Sequence, residues 1–111
     1  MAVSFAELFK KYRLKSEFGK LSDLGMALAE KGFNYEDSIF SRWQKGTRIP
    51  NRTTIIQLVS IFIERHAIKS LDEANELLTS ARLGYLTKEE IKSLPQLILH
   101  PAPFQIPRQI A

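Results

Sequence analysis

Apolar residues recur at the three- and four-residue spacing of helices as far as about residue 94, and no segment alternates like a half-buried strand. The spacing predicts an all-α fold, a bundle of five to six helices. Gly32, Gly46 and Gly84 mark predicted helix ends, because glycine adopts the left-handed conformation that closes a helix at little cost. The predicted helices cover residues 4–14, 22–32, 34–45, 53–67, 71–82 and 88–93.

Three predicted helix starts fit a capping box, in which a hydroxyl and a carboxylate three residues later accept each other's backbone N–H groups. The fourth helix has two candidate caps, Asn51 and Thr53, and its segment TTIIQLVSIFIERHA is apolar on several sides. It is therefore predicted to be the central element of the core, with the other helices packed on it. The capping-box pairs are Ser4 with Glu7, Ser70 with Glu73, and Thr87 with Glu90.

The sequence changes character after Leu94. The segment PQLILHPAPFQIPRQIA holds four of the five prolines and has no helical period, and proline interrupts helices because it lacks the N–H donor. We therefore divide the chain into a helical domain, residues 1–94, and a proline-rich linker or tail, residues 95–111. Such a segment is expected where a longer protein continues, and a natural tail is the alternative.

Composition restricts the classes of function. With 111 residues, 44% of them hydrophobic, the chain can bury one core. Cysteine is absent from the sequence, which excludes disulfides and thiolate metal sites. No apolar run suits a signal peptide or approaches the roughly 20 residues of a membrane span, so we expect a cytoplasmic protein without a membrane partner. His66 and His100 have no carboxylate or second histidine at ligand spacing, and we predict no enzyme activity, metal or cofactor.

The net positive charge is concentrated in one stretch, SIFSRWQKGTRIPNR, residues 38–52. Its cations are Arg42, Lys45, Arg48 and Arg52, and no acid lies between residues 41 and 52. The rest of the chain has equal numbers of basic and acidic side chains, so the formal net charge of +4 is in effect that of this stretch. The sequence pI of about 9.5 favours an anionic partner such as nucleic acid.

The predicted second and third helices, joined by a short turn, have the layout of a helix-turn-helix, in which the second helix of the pair enters the DNA major groove. The segment IFSRWQKGTRIP and the pair Leu28 and Ala29 resemble the Cro and repressor (XRE-type) family of this motif, over about residues 4–64. The resemblance implies a lambda-repressor-like bundle that binds double-stranded DNA in transcription regulation. The residues that carry it are Phe40, Ser41, Arg42, Trp43, Gln44, Lys45, Gly46, Arg48 and Pro50.

Helical spacing predicts which side chains of the third helix face DNA. Phe40 and Trp43, three residues apart, are predicted to face the core and to leave the opposite face in a groove. Arg42 is the strongest candidate for base reading, since its planar fork can bond O6 and N7 of guanine together. The predicted base contacts are Asp37, Ser38, Ser41 and Arg42. The predicted phosphate contacts are Lys45, Thr47, Arg48, Asn51 and Arg52.

Two acids at the start of the third helix leave a second function open. Glu36 and Asp37 complement the positive end of the helix dipole. In a negative groove, their favourable role is limited to accepting a hydrogen bond from N4 of cytosine. The alternative to DNA binding is therefore a helix-turn-helix-derived protein–protein interaction module of a multidomain signalling protein.

A single helix-turn-helix domain usually needs a second copy, because two half-sites lie about 34 Å apart on DNA. We therefore expect a homodimer, formed on DNA or through a missing C-terminal region. The segment SLDEANELLTSARLGYLTKEE resembles the amino-terminal module of bacterial signal-transducing ATPases of the STAND or NB-ARC type, which implies a role in signal transduction.

A second basic cluster lies on the predicted first helix. Its members are predicted to form an ordinary solvated face. The resemblance to repressors adds that one or two of them make auxiliary phosphate contacts. The cluster consists of Lys10, Lys11, Arg13 and Lys15.

Overall fold

The structure, a computed structural model, describes residues 3–94. This part of the chain holds six α-helices and no strand, which confirms the predicted all-α class and the bundle of five to six helices. Each helix begins and ends within a few residues of its predicted position. The predicted linker or tail, residues 95–111, lies outside the described residues. The helices are α1 (Phe5–Lys15), α2 (Leu21–Glu30), α3 (Asp37–Lys45), α4 (Arg52–Glu64), α5 (Leu71–Ser80) and α6 (Lys88–Lys92).

Four of the six helix starts in the described residues follow capping signals, whereas α2 and α3 begin without a side-chain cap. The capping boxes of α1 and α6 are complete. At α5, Ser70 Oγ accepts from the Glu73 N–H at 3.2 Å, whereas the Glu73 carboxylate accepts from the Lys69 N–H at 2.7 Å, one residue earlier than predicted. At α4, Asn51 is the cap of the two candidates, since its Oδ1 atom accepts from the Thr54 N–H at 3.0 Å.

Three helices end on a left-handed residue that is not glycine. Glu17, His66 and Arg82, with φ of 67°, 63° and 62°, follow α1, α4 and α5. The residue after each donates its N–H to the carbonyl five residues earlier and packs an apolar side chain in or against the core. α4 and α5 therefore end at Glu64 and Ser80, earlier than the apolar spacing predicts.

α4 is the most buried of the described helices, with seven of its thirteen residues buried. The buried faces of α1, α2, α3 and α5 belong to the same hydrophobic cluster as the buried residues of α4. The prediction that the other helices pack on α4 is met only in part, because α4 packs mainly against α2 and α5, whereas α3 packs mainly against α1 and α2. The buried residues of α4 are Thr54, Ile55, Leu58, Val59, Ile61, Phe62 and Ile63.

α2 and α3 approach each other closely at Gly25. A Cβ atom at this position would lie 2.8 Å from Cε2 of Phe40, whose side chain is fully buried. The part of α2 that resembles repressors is the pair Leu28 and Ala29; Leu28 is buried, whereas Ala29 is exposed. Gly25, one turn before Ala29, therefore sets the distance between α2 and α3.

We expect Gly25→Ala to lower the free energy of unfolding by about 1 kcal/mol. The added methyl group displaces the Phe40 ring, and overpacking costs about 1–3 kcal/mol. This exceeds the gain of roughly 0.5–1 kcal/mol from replacing a glycine inside a helix. Urea denaturation measures the difference. Gly84→Ala is the control, because a Cβ atom at Gly84 meets nothing within 4 Å. A Gly25→Ala protein as stable as the wild type would contradict the close approach.

Candidate nucleic-acid interface

An aromatic cluster fixes α3 to the bundle. Phe40 and Trp43 are buried, as predicted, with ring centroids 5.3 Å apart. Trp43 also meets Phe9 of α1 edge-on at 5.9 Å. Tyr35, just before α3, packs against Trp43 at 5.3 Å, and its hydroxyl lies 2.6 Å from Thr54 Oγ1 in α4. Contacts with α1 and α4 therefore hold α3 in a fixed orientation.

The opposite face of α3 carries the side chains predicted to contact bases. Asp37, Ser38 and Arg42 are exposed, and Ser41 is half-buried. Ser38 and Arg42 are four residues apart and lie one above the other on this face. Within residues 3–94, no ion pair involves Arg42. Its guanidinium is therefore presented to solvent from a helix that the core holds rigidly.

The turn after α3 presents three of the predicted phosphate contacts. Gly46 closes α3 in the left-handed conformation, with φ of 80°. The Thr47 N–H and Thr47 Oγ1 both donate to the Arg42 carbonyl, at 3.1 and 3.3 Å, which orders the turn. Lys45, Thr47 and Arg48 are exposed, and no carboxylate of the described chain pairs with either cation. Lys45 and Arg48 therefore give this turn a positive surface.

The other two predicted phosphate contacts are engaged inside the protein. Asn51 caps α4 through its side-chain oxygen, which leaves its amide N–H groups as donors. Arg52 Nε and Nη2 donate to the two carboxylate oxygens of Glu90, at 2.9 and 2.7 Å. Arg52 Nη1 and Nη2 also donate to the carbonyls of Gly84 and Tyr85, at 3.1 and 2.8 Å. In this structure Arg52 is bound to α6 and the loop before it, not directed freely to solvent.

We expect Glu90→Gln to lower the free energy of unfolding by about 1 kcal/mol at neutral pH, because it removes a charged hydrogen-bond pair at a partly exposed site. The hydrogen bond from Arg52, and after it the Thr87 backbone N–H, lower the pKa of Glu90 to about 2. A lowered pKa in the folded state stabilises the protein above the unfolded-state pKa of about 4.3, and the stabilisation is lost as pH falls through the folded-state value. Urea denaturation of both proteins should therefore show their difference shrinking between about pH 5 and pH 2.

Glu89→Gln provides the matched control for this pH series. Glu89 is exposed in the same turn of α6, and no ion pair in residues 3–94 involves it. Its substitution is expected to change the free energy of unfolding little at any pH in the series. A difference between wild type and Glu90→Gln that stays constant down to pH 2 would contradict the proposed role of the ionised Glu90 carboxylate.

The basic cluster of α1 differs in part from its prediction. Its three lysines are exposed, but Arg13 is only 6% exposed. Arg13 Nε donates to Gln44 Oε1 at 3.1 Å, and Nη1 donates to the Phe18 carbonyl at 2.7 Å. The prediction of a solvated side chain is therefore wrong for Arg13, because protein acceptors replace water around its guanidinium. The first bond connects α1 to the last turn of α3, and the second connects α1 to the loop that follows it.

Sequence reasoning missed a shallow groove beside α3. Tyr35 and Ile49 line it together with Arg48, and these two apolar side chains are 37% and 46% exposed. In the sequence, the only local indication of this groove is Ile49, an apolar residue next to Arg48 in an otherwise polar turn. Glu36 and Asp37, directly after Tyr35, are exposed at the start of α3. Acids therefore occupy the start of α3, and cations occupy its end and the following turn.

None of the helices in residues 3–94 is long and apolar enough to cross a membrane. The same residues contain no group of three or more His, Asp or Glu side chains placed to hold a metal ion. Comparison of the chain with protein-family models, with curated proteins and with solved structures found no match. The function of this surface is therefore inferred from its own residues and geometry.

Proposed function

We propose that the chain binds double-stranded DNA and acts as the DNA-binding domain of a transcription regulator. The observation that carries the proposal is the two-sided character of α3. Phe40 and Trp43 fix one face to the core, while Ser38 and Arg42 stand exposed on the other. The major groove of B-DNA, about 12 Å wide, accepts an α-helix presented in this way. α3 is the proposed recognition helix, and α2 is its partner in the helix-turn-helix.

Arg42 is the main proposed base contact. Its guanidinium can donate two hydrogen bonds to O6 and N7 of one guanine. Ser38, one turn earlier, can donate to or accept from a base edge, and Asp37 can accept from N4 of cytosine. Ser41 is half-buried, so we expect it to contribute less to base recognition than Ser38.

The turn after α3 supplies the proposed phosphate contacts. Lys45 and Arg48 are exposed cations, and the Thr47 hydroxyl between them would exchange its bond to the Arg42 carbonyl for one to a phosphate. Asn51 adds amide donors at the start of α4. Such contacts position a protein on the duplex without reading its sequence. Because phosphates along a duplex attract these cations whatever the bases, this turn is expected to bind any DNA.

A salt titration of binding to a generic duplex tests the proposal. Each phosphate neutralised by a cation contributes about −0.9 to the slope of log K against log salt concentration. We therefore expect Lys45→Ala and Arg48→Ala each to reduce the magnitude of the slope by about 0.9, and the double variant by about twice that. Fluorescence anisotropy of a labelled duplex gives the slopes.

Lys69→Ala is the control for the loss of one positive charge. Lys69 is exposed beyond the C-terminal end of α4, whereas Arg48 precedes the N-terminal end of the same helix. Lys69→Ala should leave the slope unchanged. If Lys69→Ala and Arg48→Ala reduce the slope equally, the attraction depends on net charge alone and the proposed DNA-binding face is wrong.

Docking of a partner protein is the second candidate function. Glu36 and Asp37 are exposed at the start of α3, and Tyr35 and Ile49 add exposed apolar surface. Acidic and apolar groups together favour a protein partner over a DNA groove, because carboxylates are repelled by phosphates. A wild-type protein that fails to bind DNA at low salt would favour this alternative.

A further inference from the structure

Arg52 holds a carboxylate in the geometry with which arginine also binds a phosphate. Its Nε and Nη2 atoms donate to separate oxygens of Glu90, at 2.9 and 2.7 Å. This planar fork matches the oxygen pairs of carboxylates and phosphates alike. The side chains of Arg52 and Glu90 are 30% and 23% exposed, so water and dissolved anions can reach the pair.

The pair lies next to the proposed phosphate-binding turn. Arg52 is the first residue of α4 and directly follows the exposed cap residue Asn51. Backbone N–H groups at the start of a helix carry partial positive charge, which favours an anion at this end of α4. Arg48 precedes Arg52 by four residues and is exposed. A DNA strand bound by Arg48 and Asn51 is therefore expected to pass close to Arg52.

α6 has few other anchors. It is five residues long and has no fully buried residue, although its Ile91 side chain is half-buried against the core. Glu90 Oε1 accepts from Arg52 Nη2 and also from the Thr87 N–H, at 2.7 and 2.8 Å, so one carboxylate both docks and caps the helix. Leu86 and Leu94, on either side of α6, are buried and attach its ends. Loss of the Arg52 contact would therefore remove the main polar anchor of α6.

We propose that Arg52 is a masked phosphate-binding group: Glu90 occupies it in the free protein, and a phosphate of bound DNA competes with Glu90 for it. This inference rests on the proposed DNA-binding function and adds a regulatory contact to it. With the pair closed, Lys45 and Arg48 bind the DNA backbone. With the pair open, Arg52 joins them and α6 loses its main polar anchor. Whatever stabilises the docked α6 therefore weakens DNA binding.

The test compares two variants of the full 111-residue chain that have the same net charge, Glu90→Gln and Glu89→Gln. Binding to a generic duplex is measured by fluorescence anisotropy over a range of salt concentrations. We expect Glu90→Gln to bind more tightly than Glu89→Gln and to steepen the log–log slope by about 0.9, the value of one phosphate contact. Adding Arg52→Gln to Glu90→Gln should abolish this gain, whereas adding it to Glu89→Gln should change the slope little.

Equal slopes for Glu90→Gln and Glu89→Gln, in proteins that bind DNA, would show that the Arg52–Glu90 pair is only structural. That result would overturn the inference and leave the proposed function intact. Failure of the wild type to bind DNA would contradict both the proposed function and this inference.

Discussion

Phe40→Ala is expected to lower the free energy of unfolding by about 3–5 kcal/mol, because it removes a fully buried aromatic side chain and leaves a cavity. The Phe40 ring lies 5.3 Å from the Trp43 ring and 6.1 Å from the Tyr35 ring, and it fills the space opposite Gly25. Small domains have a total stability of about 5–15 kcal/mol, so this loss is a large part of the whole. Urea denaturation followed by circular dichroism and Trp43 fluorescence measures it.

Phe33→Ala is the matched control for this prediction. Phe33 is also a phenylalanine, but it is half-buried at the edge of the core, after the end of α2. Its truncation should cost clearly less, since less apolar surface is removed from the core and water can fill part of the space. Equal losses for the two variants would contradict the central position of Phe40 between α2 and α3.

The parts of the fold that depend on local sequence could be predicted from it. The capping boxes of α1 and α6 form between residues three apart, and a three-residue pattern is enough to find them. The ends of α4 and α5 could not be found in this way. His66 and Arg82 take a left-handed conformation that usually indicates glycine, and an apolar residue packed on the core stabilises each turn.

The candidate site could be predicted only in part, because partners distant in the sequence decide the state of a charge. The spacing of Phe40 and Trp43 was enough to predict that Arg42 faces solvent. The positive stretch also predicts a phosphate contact for Arg52, yet its partner Glu90 lies 38 residues away in α6. Arg13 likewise pairs with Gln44 across 31 residues. No local pattern in the sequence indicates either contact, so the sequence predicts both arginine side chains to be exposed.

The contact between α2 and α3 illustrates the same limit for packing. The pair Leu28 and Ala29 resembles the first motif helix of repressors, but this resemblance does not indicate which residue of α2 meets α3. The fold places Gly25 against Phe40, and the missing Cβ atom at Gly25 is what allows the approach. A glycine inside an amphipathic helix ordinarily costs about 1 kcal/mol relative to alanine. The glycine at position 25 is therefore the feature of the sequence that indicates close packing of α2 against α3.

Arg42→Ala is expected to weaken binding to the preferred duplex by about 1–3 kcal/mol, or roughly 5- to 150-fold, and to relax the choice of base at one position. The loss is large because alanine cannot replace the two hydrogen bonds from Arg42 to guanine. Duplexes without that guanine do not make these bonds and therefore lose nothing. The measurement has two steps. The wild type first selects its preferred duplex from a randomised library, and binding of both proteins to single-base-pair variants of that duplex is then compared.

Two further variants separate base reading from phosphate binding. Arg42→Lys keeps the charge but lacks the planar fork, so it should retain the salt slope and lose discrimination at the same position. Arg48→Ala should weaken binding to every duplex about equally, since a phosphate contact does not depend on the base sequence. If Arg42→Ala also weakened every duplex equally, Arg42 would be a phosphate contact. Only a side chain on a base edge makes the loss depend on which base pair is present.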